Sequence, residues 1–285
     1  MKISLITPAH KQSMSGNRTT AQRWARILRA LGHRVDVAVD DSGAPADLMV
    51  ALHAWRSADS IARFHERHPG RPLIVALTGT DIYRFIKSHK QTTLRSIEIA
   101  DLLVGLHDLA GQAIPARFRQ KLHVIYQSAP PLRKLAPLRR RFEVCVIGHL
   151  RDEKDPLRAA YAARRLPASS RLRVTHLGRA HDEVWAERTR AEMARNPRYR
   201  WLGEVPGWAV RRVLARTRLM VLSSKMEGGA NVISEAVVAG VPVIASDIPG
   251  SVGLLGQDYP GYYPLGDTAA LKRLLSRAEA DEDYL

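Results

Sequence analysis

The chain has 285 residues, room for two domains of ordinary size, and its 45% apolar and 25% charged residues exclude a mainly disordered protein. A single cysteine excludes an internal disulfide, and a net charge of +16 demands either anionic partners or a strongly basic surface. The short apolar start Met1–Thr7 is no signal peptide and no run approaches the ~18 apolar residues of a membrane span, so the expectation is a cytoplasmic protein without a membrane partner.

The basic residues are scattered along predicted helices, as at Arg23, Arg26 and Arg29 or at Arg158, Arg164 and Arg165. That distribution reads as a solvated arginine-rich surface. Zinc-finger spacing, RNP-like aromatic motifs and basic tails are absent, so no nucleic-acid partner is expected. Oligomeric state is not legible.

Short apolar runs alternate with amphipathic stretches along the whole chain, which predicts α/β architecture with parallel sheets covered on both faces. In the first half the predicted strands are 2–7, 34–39, 48–52, 73–78, 102–106 and 123–126. The first strand is followed by the polar loop from Thr7 to Thr20, which contains Lys11, Gly16, Asn17, Arg18 and Thr19 and leads into an amphipathic helix. Gly16 allows close approach, Asn17 or Thr19 can cap, and a helix start beside Lys11 and Arg18 makes a small anion site. No G-x-G-x-x-G is present, which excludes the usual dinucleotide fingerprint. After the fourth strand, Thr78-Gly79-Thr80-Asp81-Ile82-Tyr83-Arg84 offers small hydroxylated residues to line a cleft, with Asp81 as a cap, a base or a sugar contact.

The segment Gln127–Arg141 carries three prolines and five basic residues. It reads as a linker, so the predicted organisation is a domain over 1–127, a linker over 128–141 and a second domain over 142–285. The second half restarts the alternation with strands at 142–147, 172–177, 219–222 and 241–245 and helices from Asp155, Asp182, Asn231 and Asp267. Its first strand is followed by Gly148-His149-Leu150-Arg151-Asp152-Glu153-Lys154, a glycine-containing turn with Arg151 and Lys154 three apart. Cys145, inside an apolar run, reads as a buried structural thiol.

The most informative stretch is Glu227-Gly228-Gly229-Ala230-Asn231-Val232-Ile233-Ser234-Glu235, which follows a strand and opens a helix. The glycines admit a ligand close to backbone, the helix-start amides suit an anion or hydroxyl, and the two glutamates can hold separate hydroxyl groups of one ligand. The run continues to Gly240-Val241-Pro242-Val243, ending the helix and entering a buried strand. Ligands of such folds bind at the carboxyl ends of the strands, and two domains place the main site in the cleft between them.

With its continuation, that stretch resembles the donor-binding signature of the GT-B glycosyltransferases of group 1, or family 4, type. The resemblance implies two Rossmann-like domains facing each other across a cleft, the first for the acceptor and the second for a nucleotide sugar. Carried over by position, Glu227 binds donor-sugar hydroxyls, and Gly228, Gly229, Ala230 and Asn231 meet the sugar and distal phosphate. Glu235 then binds the ribose, and Val205 belongs to the segment that cups the base. Gly148, Arg151 and Lys154 take the diphosphate, so that no cofactor or metal is required. Among His10, His53, His107 and His149, each at or near a strand end, His149 is the best candidate to join the catalytic set of Arg151, Lys154 and Glu227.

The loop Gly16-Asn17-Arg18-Thr19-Thr20-Ala21-Gln22-Arg23-Trp24 together with Thr78–Arg84 is similar to the selenosugar synthases of selenoneine biosynthesis. That similarity implies a small-molecule acceptor, selenophosphate, and a donor that is UDP-N-acetylglucosamine or UDP-glucose. Lys11, Gly16, Asn17, Arg18, Thr19, Thr80, Asp81 and Arg84 are then the acceptor-site candidates. The alternative is a metal-independent O-glycosyltransferase acting on a sugar, lipid or polysaccharide. Members of the family usually continue past this length with a last helix crossing back onto the first domain, whereas this sequence ends at Leu285.

Overall fold

A computed structural model describes residues 1–13 and 15–285; Met14, inside the first loop, lies outside the described residues. The chain divides into two compact units, the first comprising Met1–Gln127 and Met226–Asn231, the second Ser128–Lys225 and Val232–Leu285.

In the first unit the order is β1 (Lys2–Ile6), α1 (Gly16–Ala30), β2 (Arg34–Ala38), β3 (Leu48–Leu52), α2 (Ala58–Arg67) and β4 (Leu73–Ala76). A π-helical turn (Asp81–Phe85), α3 (Ile86–Ser88), α4 (Lys90–Ile99), β5 (Leu102–Gly105) and β6 (Leu122–Val124) complete it. The strands form one six-stranded sheet in the order β2-β1-β3-β4-β5-β6, parallel throughout. Alternation along β3 explains the continuous apolar runs. Met49 and Ala51 pack with Phe64 and Ile97 on one face, while Val50 and Leu52 pack with Ile3, Leu5, Ala21 and Ala25 on the other.

Ser15 caps α1, its hydroxyl accepting from the Arg18 amide. This corrects the expected cap at Asn17 or Thr19: a cap must lie outside the helix, and the first turn already includes both of those residues. Arg18, Ala21 and Ala25 share the buried side of α1 at helical spacing.

The second unit runs β7 (Phe142–Ile147), α5 (Arg158–Arg164), β8 (Leu172–Leu177), α6 (Glu183–Arg195), β9 (Tyr199–Trp201) and α7 (Gly207–Arg216). It continues with β10 (Leu219–Leu222), α8 (Asn231–Val238), β11 (Val243–Ser246), α9 (Pro249–Leu255), β12 (Tyr262–Tyr263) and α10 (Thr268–Ala280). Its sheet order is β12-β11-β10-β7-β8-β9, again all parallel. Val144, Val146, Val174 and Val221 of the strands pack against the α5 alanines and Leu271 and Leu275 of α10. Asp182 and Asp267 cap α6 and α10 through their carboxylates. Glu192, fully buried, accepts from Arg164 Nη1 and Arg195 Nε at 2.8 Å and from Asn196 Nδ2 at 3.0 Å, tying α6 to α5.

Three expectations shift. The helix expected from Asp155 starts at Arg158, because Asp155 is left-handed (φ 42°) and Pro156 follows it. The strand expected from Val241 starts at Val243. The segment after Gln127 is no free tether: Leu135 N donates to Ala215 O, Lys134 Nζ to Gly240 O, and Arg211 Nη2 to Pro131 O, all within the second unit. Cys145 is buried, and that burial pushes its thiol up to about 12, leaving it unreactive. Among the described residues, no helix is long and apolar enough to cross a membrane.

Candidate functional site

Both sheets have a point where the chain reverses its direction of growth, between β1 and β3 in the first and between β7 and β10 in the second. Loops leaving adjacent strands there splay apart and leave a crevice at the carboxyl edge. The predicted motifs sit at these points, with the first loop after β1, Gly148–Lys154 after β7, and Ser223 onward after β10.

In the second unit, the turn after β7 and the segment after β10 are bonded into one structure. Ser223 Oγ donates to Asp155 O at 2.9 Å and to Lys154 O at 3.2 Å, and Lys225 N donates to Glu153 O at 2.8 Å. These bonds hold Lys154 at the rim of a hollow lined by Gly148, His149, Lys154, Ser223 and Ser224. Arg151 lies in the same turn; its Nε is buried without a hydrogen-bond acceptor, and the nearest ion pair, with Glu153 Oε2, is long at 3.9 Å. His149 Nδ1 accepts from the Arg179 amide at 3.1 Å. A nitrogen that accepts carries no proton, so neutral His149 keeps its proton on Nε2. Val205 is half-buried in the loop between β9 and α7, and Glu235 is half-buried in the second turn of α8.

The first unit gathers the other candidates. Its segment Met226–Asn231 carries Glu227, Gly228, Gly229, Ala230 and Asn231, and Gly228 packs backbone to backbone on Thr78 and Gly79 with no room for a Cβ on either glycine. Gly79, at φ +114°, adopts a conformation open mainly to glycine. Asn231 Oδ1 accepts from Arg23 Nη1 at 2.7 Å, and its Nδ2 donates to Thr20 Oγ1 at 3.3 Å. Gln127 Nε2 also donates to Thr20 Oγ1, at 2.9 Å. Arg23 is thus buried and corrects the expectation that it is one of the solvated basic residues.

Arg18 is 7% exposed and its Nε has no hydrogen-bond partner among the described residues. Lys11 and Gly16 are exposed and Asn17 half-buried nearby in sequence, while the Thr19 hydroxyl donates to Ser15 O at 3.2 Å. Thr80 Oγ1 pairs with His53 Nε2 at 2.9 Å, and Arg84 lies over the Phe85 ring at 5.6 Å. His53 is buried at φ 77°, and burial lowers its pKa.

Asp81 is corrected. Its carboxylate is completely buried and accepts the backbone amides of Ala54 at 3.1 Å, Thr78 at 3.0 Å and Gly79 at 2.7 Å. Its oxygens therefore shape the Thr78–Thr80 loop.

Two features go beyond the sequence reading, although it places His107 and Thr78 near strand ends. Thr7 Oγ1, Thr78 Oγ1, His107 Nδ1 and Gln127 Oε1 are buried without a hydrogen-bond partner, all just beyond strand ends of the first sheet. Burial lowers His107 to about 4, and its Nε2 meets Tyr83 Oη at 3.0 Å. His176 sits fully buried under the hollow of the second unit. Only its position near the end of an apolar strand signalled it, and a histidine there is indistinguishable from a core residue. Among the described residues, no group of three His, Cys, Asp or Glu side chains is arranged to hold a metal.

Residues 133–284 match the family model described as glycosyl transferases group 1. The fold is similar to HepE of Anabaena in complex with UDP and glucose, with 16% identity, a TM-score of 0.75, and coverage of 100% of this chain and 91% of that one. It is also similar to sucrose-phosphate synthase of Thermosynechococcus elongatus, at 16% identity and TM-score 0.77, over 99% of this chain and 90% of that one. The lipopolysaccharide outer core galactosyltransferase WaaB in its apo form matches at 15% identity and TM-score 0.68, over 99% and 91% of the two chains. At such identities the likeness establishes the fold, which is GT-B. No curated protein matches.

Proposed function

The chain belongs to the group 1 glycosyl transferases, and from that premise we propose that it transfers a sugar from a UDP-sugar to selenophosphate, forming a carbon-selenium bond. The donor is UDP-N-acetylglucosamine or UDP-glucose. The donor half of the proposal is supported by the bonded turn in which Arg151 and Lys154 sit beside Ser223, and by HepE, whose structure holds UDP and glucose on the same fold.

In this reading Arg151 and Lys154 take the diphosphate. Charge-assisted contacts to its oxygens strengthen as the bond from the anomeric carbon to the departing UDP lengthens. His149, in the same turn, is a further candidate contact to the same group. Glu227 holds the sugar, Glu235 the ribose, and the Val205 loop the base.

The acceptor half rests on one observation, the buried guanidinium of Arg18, whose Nε lacks a partner among the described residues. A buried cation favours a compact, highly charged anion over a neutral sugar. Selenium in selenophosphate is already nucleophilic, so positioning and charge neutralisation replace a strong general base. Selenium attacks the anomeric carbon and UDP leaves with the bonding electron pair, giving a sugar selenophosphate. Water then cleaves the selenium-phosphorus bond to release phosphate and the 1-selenosugar.

Incubation with UDP-N-acetylglucosamine or UDP-glucose and selenophosphate should release UDP and a selenium-bearing sugar, both detectable by mass spectrometry. UDP release only with a sugar, lipid or polysaccharide acceptor would replace this reading with O-glycosyl transfer. The partnerless Thr7 and Thr78 hydroxyls and Gln127 Oε1 favour that alternative, since a mixed set of donors and acceptors suits a hydroxylated ligand.

A further inference from the structure

The turn proposed for the donor diphosphate is pinned from below by a fully buried side chain. His176 is fully buried near the end of β8, and both ring nitrogens are engaged: Nε2 lies 3.0 Å from Gly148 O and Nδ1 lies 2.9 Å from Tyr199 Oη. Gly148 O can only accept, so Nε2 carries the proton, and Nδ1 must then accept from the Tyr199 hydroxyl. The direction of the relay is therefore set from Tyr199 through the imidazole to the first residue of the turn. Burial lowers His176 to about 4, so near neutral pH the ring holds one proton, as this pattern requires.

The carbonyl is confined from other directions as well. Gly148 N donates to Leu177 O at 2.9 Å, and Gly178 packs on Gly148 O with no room for a Cβ. Trp201 Nε1 donates to Gly178 O at 2.7 Å and holds that glycine in place. At its far end the same turn is fixed by the Ser223 hydroxyl on Lys154 O and Asp155 O.

We propose that His176 is a positioning residue for donor binding, orienting Gly148, and through it the turn to Arg151 and Lys154, so that the cations are set before the diphosphate arrives. The inference rests on the reading that this turn binds the diphosphate. Preorganisation of this kind appears as affinity, because a turn that is already placed loses less freedom on binding.

The test compares UDP with uridine, which shares the base and ribose but lacks the phosphates. His176→Phe should weaken UDP about tenfold by calorimetry while leaving uridine affinity unchanged, as expected when a buried carbonyl loses its donor. His176→Gln, whose amide can donate to Gly148 O and accept from Tyr199, should recover most of that loss. Tyr199→Phe, which leaves the His176 bond to Gly148 in place, should weaken UDP by a smaller factor and provides the measurement if the His176→Phe variant does not fold. Equal losses for uridine and UDP would make His176 a general structural residue and overturn the proposal. So would unchanged UDP affinity in folded His176→Phe or, failing that variant, in Tyr199→Phe. The double variant Arg151→Ala/Lys154→Ala separates the two levels: if it leaves UDP affinity intact, the diphosphate reading itself fails. If it abolishes UDP binding while the His176 variants do not matter, only the positioning role fails.

Discussion

The carboxyl edges of the two sheets are built differently. In the second unit most polar groups around the hollow bond to one another: His176 to Gly148, His149 to Arg179, Ser223 to Lys154 and Asp155, and Lys225 to Glu153, with Arg151 Nε the exception among the described residues. In the first unit Thr7 Oγ1, Arg18 Nε, Thr78 Oγ1, His107 Nδ1 and Gln127 Oε1 are buried and without partners among the described residues. Internal bonding fixes geometry in advance, and a fixed cradle suits a ligand with many invariant contacts. Buried groups without partners weaken a fold by about 1–3 kcal/mol each, a cost that binding a polar ligand can offset. On the proposed function the second unit carries a preformed donor edge and the first an acceptor edge completed by its ligand, a contrast that experiment can break or sharpen.

The largest expected effect bears on the preformed edge. Arg151→Ala combined with Lys154→Ala should lower kcat by a factor on the order of 10²–10³, the scale for removing groups that stabilise developing charge. Steady-state UDP release measures it, and near-normal turnover would remove this turn from the chemistry.

Next in size, and directed at the other edge, Arg18→Ala should cut turnover with selenophosphate roughly tenfold or more through loss of a charge-assisted contact. UDP affinity should not change, and Arg18→Lys should recover part of the loss. A fall in UDP affinity equal to the fall in turnover would show that the two edges do not divide the substrates.

A smaller effect concerns stability alone. Glu192→Ala removes the acceptor shared by Arg164, Arg195 and Asn196, and should destabilise the second unit by about 1–3 kcal/mol in denaturant unfolding. Donor affinity per folded molecule should stay unchanged, since this clamp ties helices together away from the hollow.

The gentlest effect is a pH slope. His107 and His176 are each held near 4 by burial, against an ordinary value of 6.5. Between those values the unfolded chain binds protons that the folded chain refuses. Their stabilising contribution is therefore complete above 6.5 and declines as the pH falls toward about 4, by at most ~1.4 kcal/mol per pH unit for each histidine. Thermal melts across that range should show the decline, and His176→Gln should flatten it. A profile unchanged by the substitution would mean that His176 titrates alike in both states.

Much of this organisation was legible because it is local. Strands such as Leu48–Leu52 are buried on both faces and so read as unbroken apolar runs, and the caps Asp182 and Asp267 stand one residue before their helices. The short strands Tyr199–Trp201 and Tyr262–Tyr263 were not legible, since neither carries the aliphatic run that marked the comparably short edge strand Leu122–Val124. The burial of Arg18 follows from its helical register with Ala21 and Ala25. That of Arg23 does not, because its partner Asn231 is distant in sequence.

The sequence by itself determined the alternating α/β pattern, the turn carrying Arg151 and Lys154, and the placement of Glu227 and Glu235 around a strand-to-helix junction. Periodicity, glycine and capping act over a few residues and leave their mark in the chain. Only the tertiary structure decided that Asp81 turns its carboxylate onto backbone amides, that Arg23 is buried, and that His176 reaches Gly148. Each depends on a partner supplied by another strand or loop, and hydrogen-bond direction exists only once those atoms are brought within reach.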